Sequence, residues 1–122
     1  MLDFKTLEDT NIEIVHAAFV KAFSDYQVAM NLPLWKFSNM LQRRGYTPEY
    51  SVGAFKDGEL IGFVLNGVRY WGGKTTVYDC GTGVISEYRK QGITSKMFSK
   101  VLSLFRNSNI KQYLLEVIQS NK

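Results

Sequence analysis

The sequence predicts a mixed α/β domain whose sheet is mostly antiparallel with at least one parallel strand pair. Three observations carry this. Amphipathic helical stripes occupy the first third, period-two patterns joined by short turns fill the middle, and a strand, a helix and a strand close the chain. At 122 residues and 45% apolar content, the chain can bury one core but not two enzyme domains, so residues 1–122 are read as a single domain.

Residues 2–6 form a short strand candidate. Thr10 and Glu13 have the spacing of a capping box, which predicts a helix over residues 11–23. Ile14, Val15, Ala18, Phe19, Ala22 and Phe23 fall on its buried stripe. Residues 24–32 have no clean period and read as a loop rich in sizeable side chains, including Asp25, Tyr26, Gln27 and Met30. Pro33 fits the first turn of a second helix, where Leu34, Phe37, Met40 and Leu41 supply the stripe and Gly45 the end.

Residues 51–55 and 60–70 then alternate, joined across Asp57 and Gly58, a pair suited to a type I′ hairpin turn. Trp71, Gly72 and Gly73 make another turn before a long strand candidate, residues 75–85, interrupted by Gly81 and Gly83. Ile93, Met97, Phe98, Val101, Leu102 and Phe105 give the last helical stripe, with Lys96, Lys100 and Arg106 toward solvent. Asn107, Ser108 and Asn109 break that helix, and residues 113–118 read as a buried strand reached by a right-handed crossover.

Composition narrows the function classes. The segment Met1 to Asp9 carries three acids and one lysine, unlike a signal peptide, and no apolar run approaches the roughly 20 residues that span a bilayer. A soluble, cytoplasmic protein without membrane contact is expected. Cys80 is the single cysteine, so it forms no internal disulfide, and no cluster has metal-ligand spacing. The net charge is +4, yet residues 86–111 hold six cations against Glu87, a regional +5 that leaves −1 elsewhere. So local a field suits a phosphorylated small ligand better than a nucleic acid, which is not expected as a partner.

The informative stretch joins a strand directly to a helix: Thr82-Gly83-Val84-Ile85-Ser86-Glu87-Tyr88-Arg89-Lys90-Gln91-Gly92-Ile93-Thr94-Ser95. Amides in a first helical turn lack helical acceptors, and the aligned peptide dipoles favour an anion there. A pyrophosphate over residues 90–95 could take several of those hydrogen bonds. Gly92 permits close approach and Thr94 offers a hydroxyl, while Arg89 and Lys90 add charge or flank the turn. A dinucleotide-binding fingerprint would need three spaced glycines early in the chain, which are absent.

Here the chain resembles the GCN5-related N-acetyltransferase family, whose signature is Gln or Arg, two variable residues, Gly, one variable residue, then Gly or Ala. The match is Arg89-Lys90-Gln91-Gly92-Ile93-Thr94, with threonine in the last place, and Ser86 stands where proline is common. The resemblance implies the acyl-CoA N-acyltransferase fold, a central mixed and mostly antiparallel sheet with flanking helices. It implies coenzyme A contacts at Thr82, Gly83, Val84, Arg89, Lys90, Gln91, Gly92, Ile93, Thr94 and Ser95.

In the family the strand corresponding to residues 75–85 bulges and splays from the strand corresponding to 113–118, and an amide of the cleft can polarise the thioester carbonyl. Gly81 and Gly83 either serve that bulge or simply permit tight packing. Relatives continue with a further helix and two strands beyond the position of Lys122, so the fold is expected to be incomplete at its C-terminus, with an exposed last strand favouring a homodimer or another chain.

The implied activity is acetyl transfer from acetyl-CoA, as co-substrate, to a primary amine of a small molecule or protein by direct attack in a ternary complex, without a metal. A non-catalytic acyl-CoA-binding or regulatory module is the alternative. A neutral amine must lose a proton during the reaction, and Asp79 and Glu116 are the candidate carboxylates, as the base or as anchors for a water or the acceptor. Tyr78 is a pocket wall, a proton donor or, as is commoner for a tyrosine beside sheet side chains, packing; Cys80 lacks a histidine beside it in sequence, and His16 is expected to be structural or solvent-facing. The resemblance implies an acceptor rim at Asp25, Tyr26, Gln27, Met30 and Trp35, with Met30 and Trp35 equally readable as packing on the sheet.

Overall fold

Five strands form one sheet in the computed structural model, which describes residues 2–24, 32–71, 74–106 and 112–114. They are β1 (Leu2–Thr6), β2 (Val52–Lys56), β3 (Glu59–Trp71), β4 (Lys74–Val84) and β5 (Gln112–Leu114), adjacent in that order. The first four are antiparallel; β5 lies parallel to β4, pairing Thr76, Val77 and Tyr78 with Gln112, Tyr113 and Leu114. This is the expected mixed, mostly antiparallel sheet. Gly72, Gly73, residues 107–109 and residues 115–118 lie outside the described residues, and with them the second turn, the helix break and the splay.

Helices α1 (Ile12–Ala22), α2 (Leu34–Arg43) and α3 (Ile93–Arg106) cover the sheet. Successive side chains of a strand point to opposite faces, which assigns the layers. Phe63 stacks with Phe19 and Phe23 at centroid separations of 6.1 and 6.3 Å, and Phe19 meets Phe37 of α2 at 4.8 Å. On the other face a Cβ at Gly62 would touch Ile93 and Met97. Helices α1 and α2 therefore share one face and α3 takes the other. Val15, Phe19, Phe37, Leu41, Met97 and Val101 are buried as their periodicity requires, whereas Ile14 is 46% exposed and Leu102 48%.

Two local expectations need correction. The capping box does not form: Asn11, not Thr10, occupies the cap position of α1 and makes no side-chain capping bond. The helix begins one residue later than the motif requires, and Thr10 N–H instead closes a turn on the Leu7 carbonyl at 3.0 Å. Pro33 likewise precedes the first turn of α2 as its cap. By contrast, Gly45 ends α2 as read. At φ +74° it lets its own N–H reach the Gln42 carbonyl and that of Tyr46 the Leu41 carbonyl, the paired bonds of a Schellman turn. Asp57 and Gly58, at φ 51° and 85°, have the two positive values that a type I′ hairpin demands.

Candidate functional site

The strand-to-helix passage is built by a chain of backbone turns. Ile85 N–H bonds the Ile61 carbonyl at 2.9 Å, which sets the end of β4 against β3; Ser86–Tyr88 make a single 3₁₀ turn; Arg89 N–H closes on Ser86 at 3.3 Å. Two residues then take left-handed backbone conformations, Lys90 at φ +64° and Gly92 at φ +74°. The value at Lys90 is uncommon for a residue with a side chain, and such conformations cluster at functional sites. Gly92 contributes the first helical acceptor, to Lys96 N–H at 3.2 Å. The amides of Ile93, Thr94 and Ser95 are consequently first-turn donors without helical acceptors.

These residues border a cleft of about 350 Å³ lined by Thr82, Gly83, Val84, Tyr88, Arg89, Lys90, Gly92, Ile93, Thr94 and Ser95. Of the residues read as cofactor contacts, Gln91 alone is missing from that lining, while Tyr88 is a wall that the motif did not name. A Cβ built at Gly92 meets nothing within 4 Å, so the space above it is open.

Arg89 is held more firmly than a flanking charge. Its Nε donates to the Val84 carbonyl at 2.8 Å and its Nη2 to the Ala22 carbonyl, tying the turn to the end of α1. Much of its hydrogen-bonding capacity thus faces protein. Lys90 is exposed at this turn.

The strand wall contains an irregularity. Leu65 pairs with Gly81 but Asn66 with Asp79, so Cys80 is an extra residue and β4 bulges there. Neither glycine is the inserted residue. Gly83 instead admits α1: a Cβ there would lie 2.9 Å from Phe63 and 3.3 Å from Ala22. Since Ile85 N–H points at β3, strand alternation turns the backbone groups of Gly83 toward β3 and those of Thr82 and Val84 away from it.

Asp79 braces the bulge: Oδ1 accepts Gly81 N–H and Oδ2 accepts the Thr82 hydroxyl, each at 2.8 Å. Cys80 is 5% exposed and burial pushes its thiol up to about 11, which leaves it protonated near neutrality. Tyr78 carries a buried hydroxyl, and burial raises its pKa against the opposing effect of the nearby Arg69. The Arg69 guanidinium lies 5.7 Å from the centre of its ring. His16 bonds the Leu32 carbonyl at 2.6 Å and packs on Phe37, as a structural histidine does. Trp35 is 63% exposed and borders a second surface hollow of about 560 Å³ with Lys36, Asn39, Met40 and Arg43. Glu116, Asp25, Tyr26, Gln27 and Met30 lie outside the described residues.

Among the described residues no three His, Cys, Asp or Glu side chains gather as a metal site, and no helix is long and apolar enough to cross a membrane.

Comparison with known proteins agrees with this geometry. A family model described as the acetyltransferase (GNAT) family matches residues 13–122. A possible acetyltransferase from Clostridium difficile 630 superimposes with a TM-score of 0.74 at 12% identity, covering 99% of this chain and 82% of that one. An aminoglycoside acetyltransferase from an uncultured soil metagenomic sample, in complex with sisomicin, gives 0.72 at 13% identity, with 99% and 80% covered. Ribosomal-protein-alanine N-acetyltransferase from Brucella melitensis biovar Abortus 2308 gives 0.71 at 18%, with 98% and 82% covered. Identities this low speak for the fold alone. No curated protein matches.

Proposed function

Because the chain belongs to the acetyltransferase (GNAT) family, we propose that it transfers an acetyl group from acetyl-CoA to a primary amine by direct attack in a ternary complex, in the cytoplasm. The observation that carries this reading is the cleft at the β4–α3 passage, where the free first-turn amides of α3 open beside two left-handed residues. The pyrophosphate would sit on the amides of Ile93, Thr94 and Ser95, beside Gly92 and the Lys90 ammonium. The pantetheine arm would run along β4, meeting the outward backbone groups of Thr82 and Val84.

An amide aimed at the thioester oxygen stabilises the charge that grows there as the amine attacks. A carbon–nitrogen bond forms, the carbon–sulfur bond breaks, the thiolate leaves, and the amine gives up a proton. We assign Asp79 to the bulge that aims those amides, because both of its carboxylate oxygens already accept bonds from Gly81 and Thr82. Glu116 is the carboxylate proposed to take the proton, directly or through water. The acid–base chemistry asks nothing of the buried Cys80 thiol.

The acceptor is proposed to enter from the side of α2 that carries Trp35. Similar folds bear names as different as aminoglycoside acetyltransferase and ribosomal-protein-alanine N-acetyltransferase, so a test panel should hold an aminoglycoside, a peptide with a free N-terminus and a polyamine. Thiol release from acetyl-CoA that depends on one of these amines supports transfer. Coenzyme A binding without thiol release for any amine points to the non-catalytic acyl-CoA module. Strand β5 ends the described sheet, and association through that edge is part of the reading, checked by sedimentation across a concentration series.

A further inference from the structure

The β4 bulge is held from outside its own strand. Inserting Cys80 leaves backbone groups without ladder partners. Asp79 satisfies Gly81 N–H, but it sits on the same strand and would travel with the bulge if the register moved. The Cys80 carbonyl is satisfied differently: Arg44 Nη1 donates to it at 3.1 Å, from a residue 36 positions earlier at the end of α2.

The position of Arg44 is itself fixed. The Schellman turn at Gly45 and Tyr46 locks the helix end, and the chain then docks on β3, with Thr47 N–H on the Asn66 carbonyl at 2.8 Å and Val68 N–H on the Gly45 carbonyl at 3.3 Å. Asn66 is one of the two residues between which the β3–β4 register shifts. The helix end rests directly on the strand, for a Cβ at Gly67 would stand 2.4 Å from the Arg44 carbonyl oxygen. The same carbonyl accepts the Cys80 thiol at 3.9 Å, so Arg44 and Cys80 are joined in both directions.

We propose that Arg44 is a positioning residue for acetyl transfer: by clamping the Cys80 carbonyl it fixes the bulge against the sheet and so aims the Thr82 and Val84 amides at the pantetheine arm and thioester. The inference rests on the acetyl-CoA reading above. Its physical basis is register, since a slip by one residue carries every side chain of residues 81–84 to the other face. A charge-assisted bond from an element anchored elsewhere opposes that slip.

The test binds acetyl-CoA carrying 13C at the thioester carbonyl to the full chain and to Arg44→Ala, Arg44→Met and Arg44→Lys. The carbonyl resonance, the Kd for coenzyme A by calorimetry and the thermal midpoint are recorded for each. The wild type is expected to move the resonance downfield of free acetyl-CoA. Arg44→Ala should lose most of that displacement while the Kd for coenzyme A changes by less than about threefold, and Arg44→Lys should recover part of it. Where turnover is measurable, kcat should fall roughly tenfold at constant KM for acetyl-CoA. If Arg44→Ala does not fold, Arg44→Met keeps the apolar stem, removes the donors and carries the same expectation. A folded donor-less variant with the full displacement overturns the inference, whatever its stability, as does a wild type that binds coenzyme A without moving the resonance. A wild type that binds no coenzyme A overturns the acetyl-CoA reading first and this inference with it.

Discussion

Replacing Gly92 separates what the backbone requires from what a ligand requires. At φ +74° an alanine pays the left-handed penalty, roughly 1–2 kcal/mol, yet its Cβ touches nothing in the free protein. The expected loss of thermal midpoint is about 3–6 °C per kcal/mol for a chain of this length. Gly58, in the β2–β3 hairpin, is the internal control: its φ is +85° and its Cβ would likewise meet nothing. Gly58→Ala and Gly92→Ala should therefore cost similar stability by urea unfolding. Only Gly92→Ala puts a methyl group where the pyrophosphate is proposed to lie, and losing one charge-assisted bond there weakens coenzyme A binding about tenfold or more. Gly92→Val should weaken it further. Equal affinity for the wild type and a folded Gly92→Ala protein, measured by calorimetry, would refute the placement of the phosphates.

Other outcomes follow from the same geometry. Arg89→Ala should cost about 1–3 kcal/mol in urea unfolding because it strips donors from the Val84 and Ala22 carbonyls, and Arg89→Lys should not restore both; the share of its binding loss that reflects charge should shrink with added salt. Asp79→Asn should lower turnover without moving the acidic limb of the pH profile, since the proposed role is to brace Gly81 and Thr82; a lost limb would make Asp79 the base.

Cys80, raised from 9.0 to about 11 in the fold, contributes stability present below pH 9 and lost as pH rises toward 11, because the unfolded thiol ionises first. Tyr46, raised from 10.0 to about 12 chiefly by burial, acts the same way between those values. Urea midpoints falling between pH 9 and 11, with a smaller fall in Cys80→Ala, check this.

Where the chain spoke locally, it could be read. Periodicity placed the three described helices and strands β1 to β4 within a residue or two, and Gly45 and Asp57-Gly58 announced their turns because positive φ leaves a compositional trace. The cleft was legible for the same reason, as a strand running into a helix past a glycine. What escaped depended on pairing between distant segments. Gly81 and Gly83 pointed at the bulge, but the inserted residue is Cys80, which is defined only by the register against Leu65 and Asn66. Arg44 drew no reading from the sequence, because nothing in its neighbours tells that it reaches β4. Arg89 carried a motif position, yet its partners, Val84 and Ala22, belong to the end of β4 and to a helix far away in sequence. Thr10 and Glu13 failed as a capping box because the helix starts one residue on, with Asn11 in the cap position.

The most direct measurement is a calorimetric titration of this chain with coenzyme A, set beside one with a short single-stranded oligonucleotide at the same ionic strength. One molecule of coenzyme A is expected to bind per chain, weakened in Gly92→Ala and retained in Gly58→Ala, with no comparable uptake of the oligonucleotide. Absence of coenzyme A binding by the folded chain, or preference for the oligonucleotide, would contradict the acetyl-CoA reading.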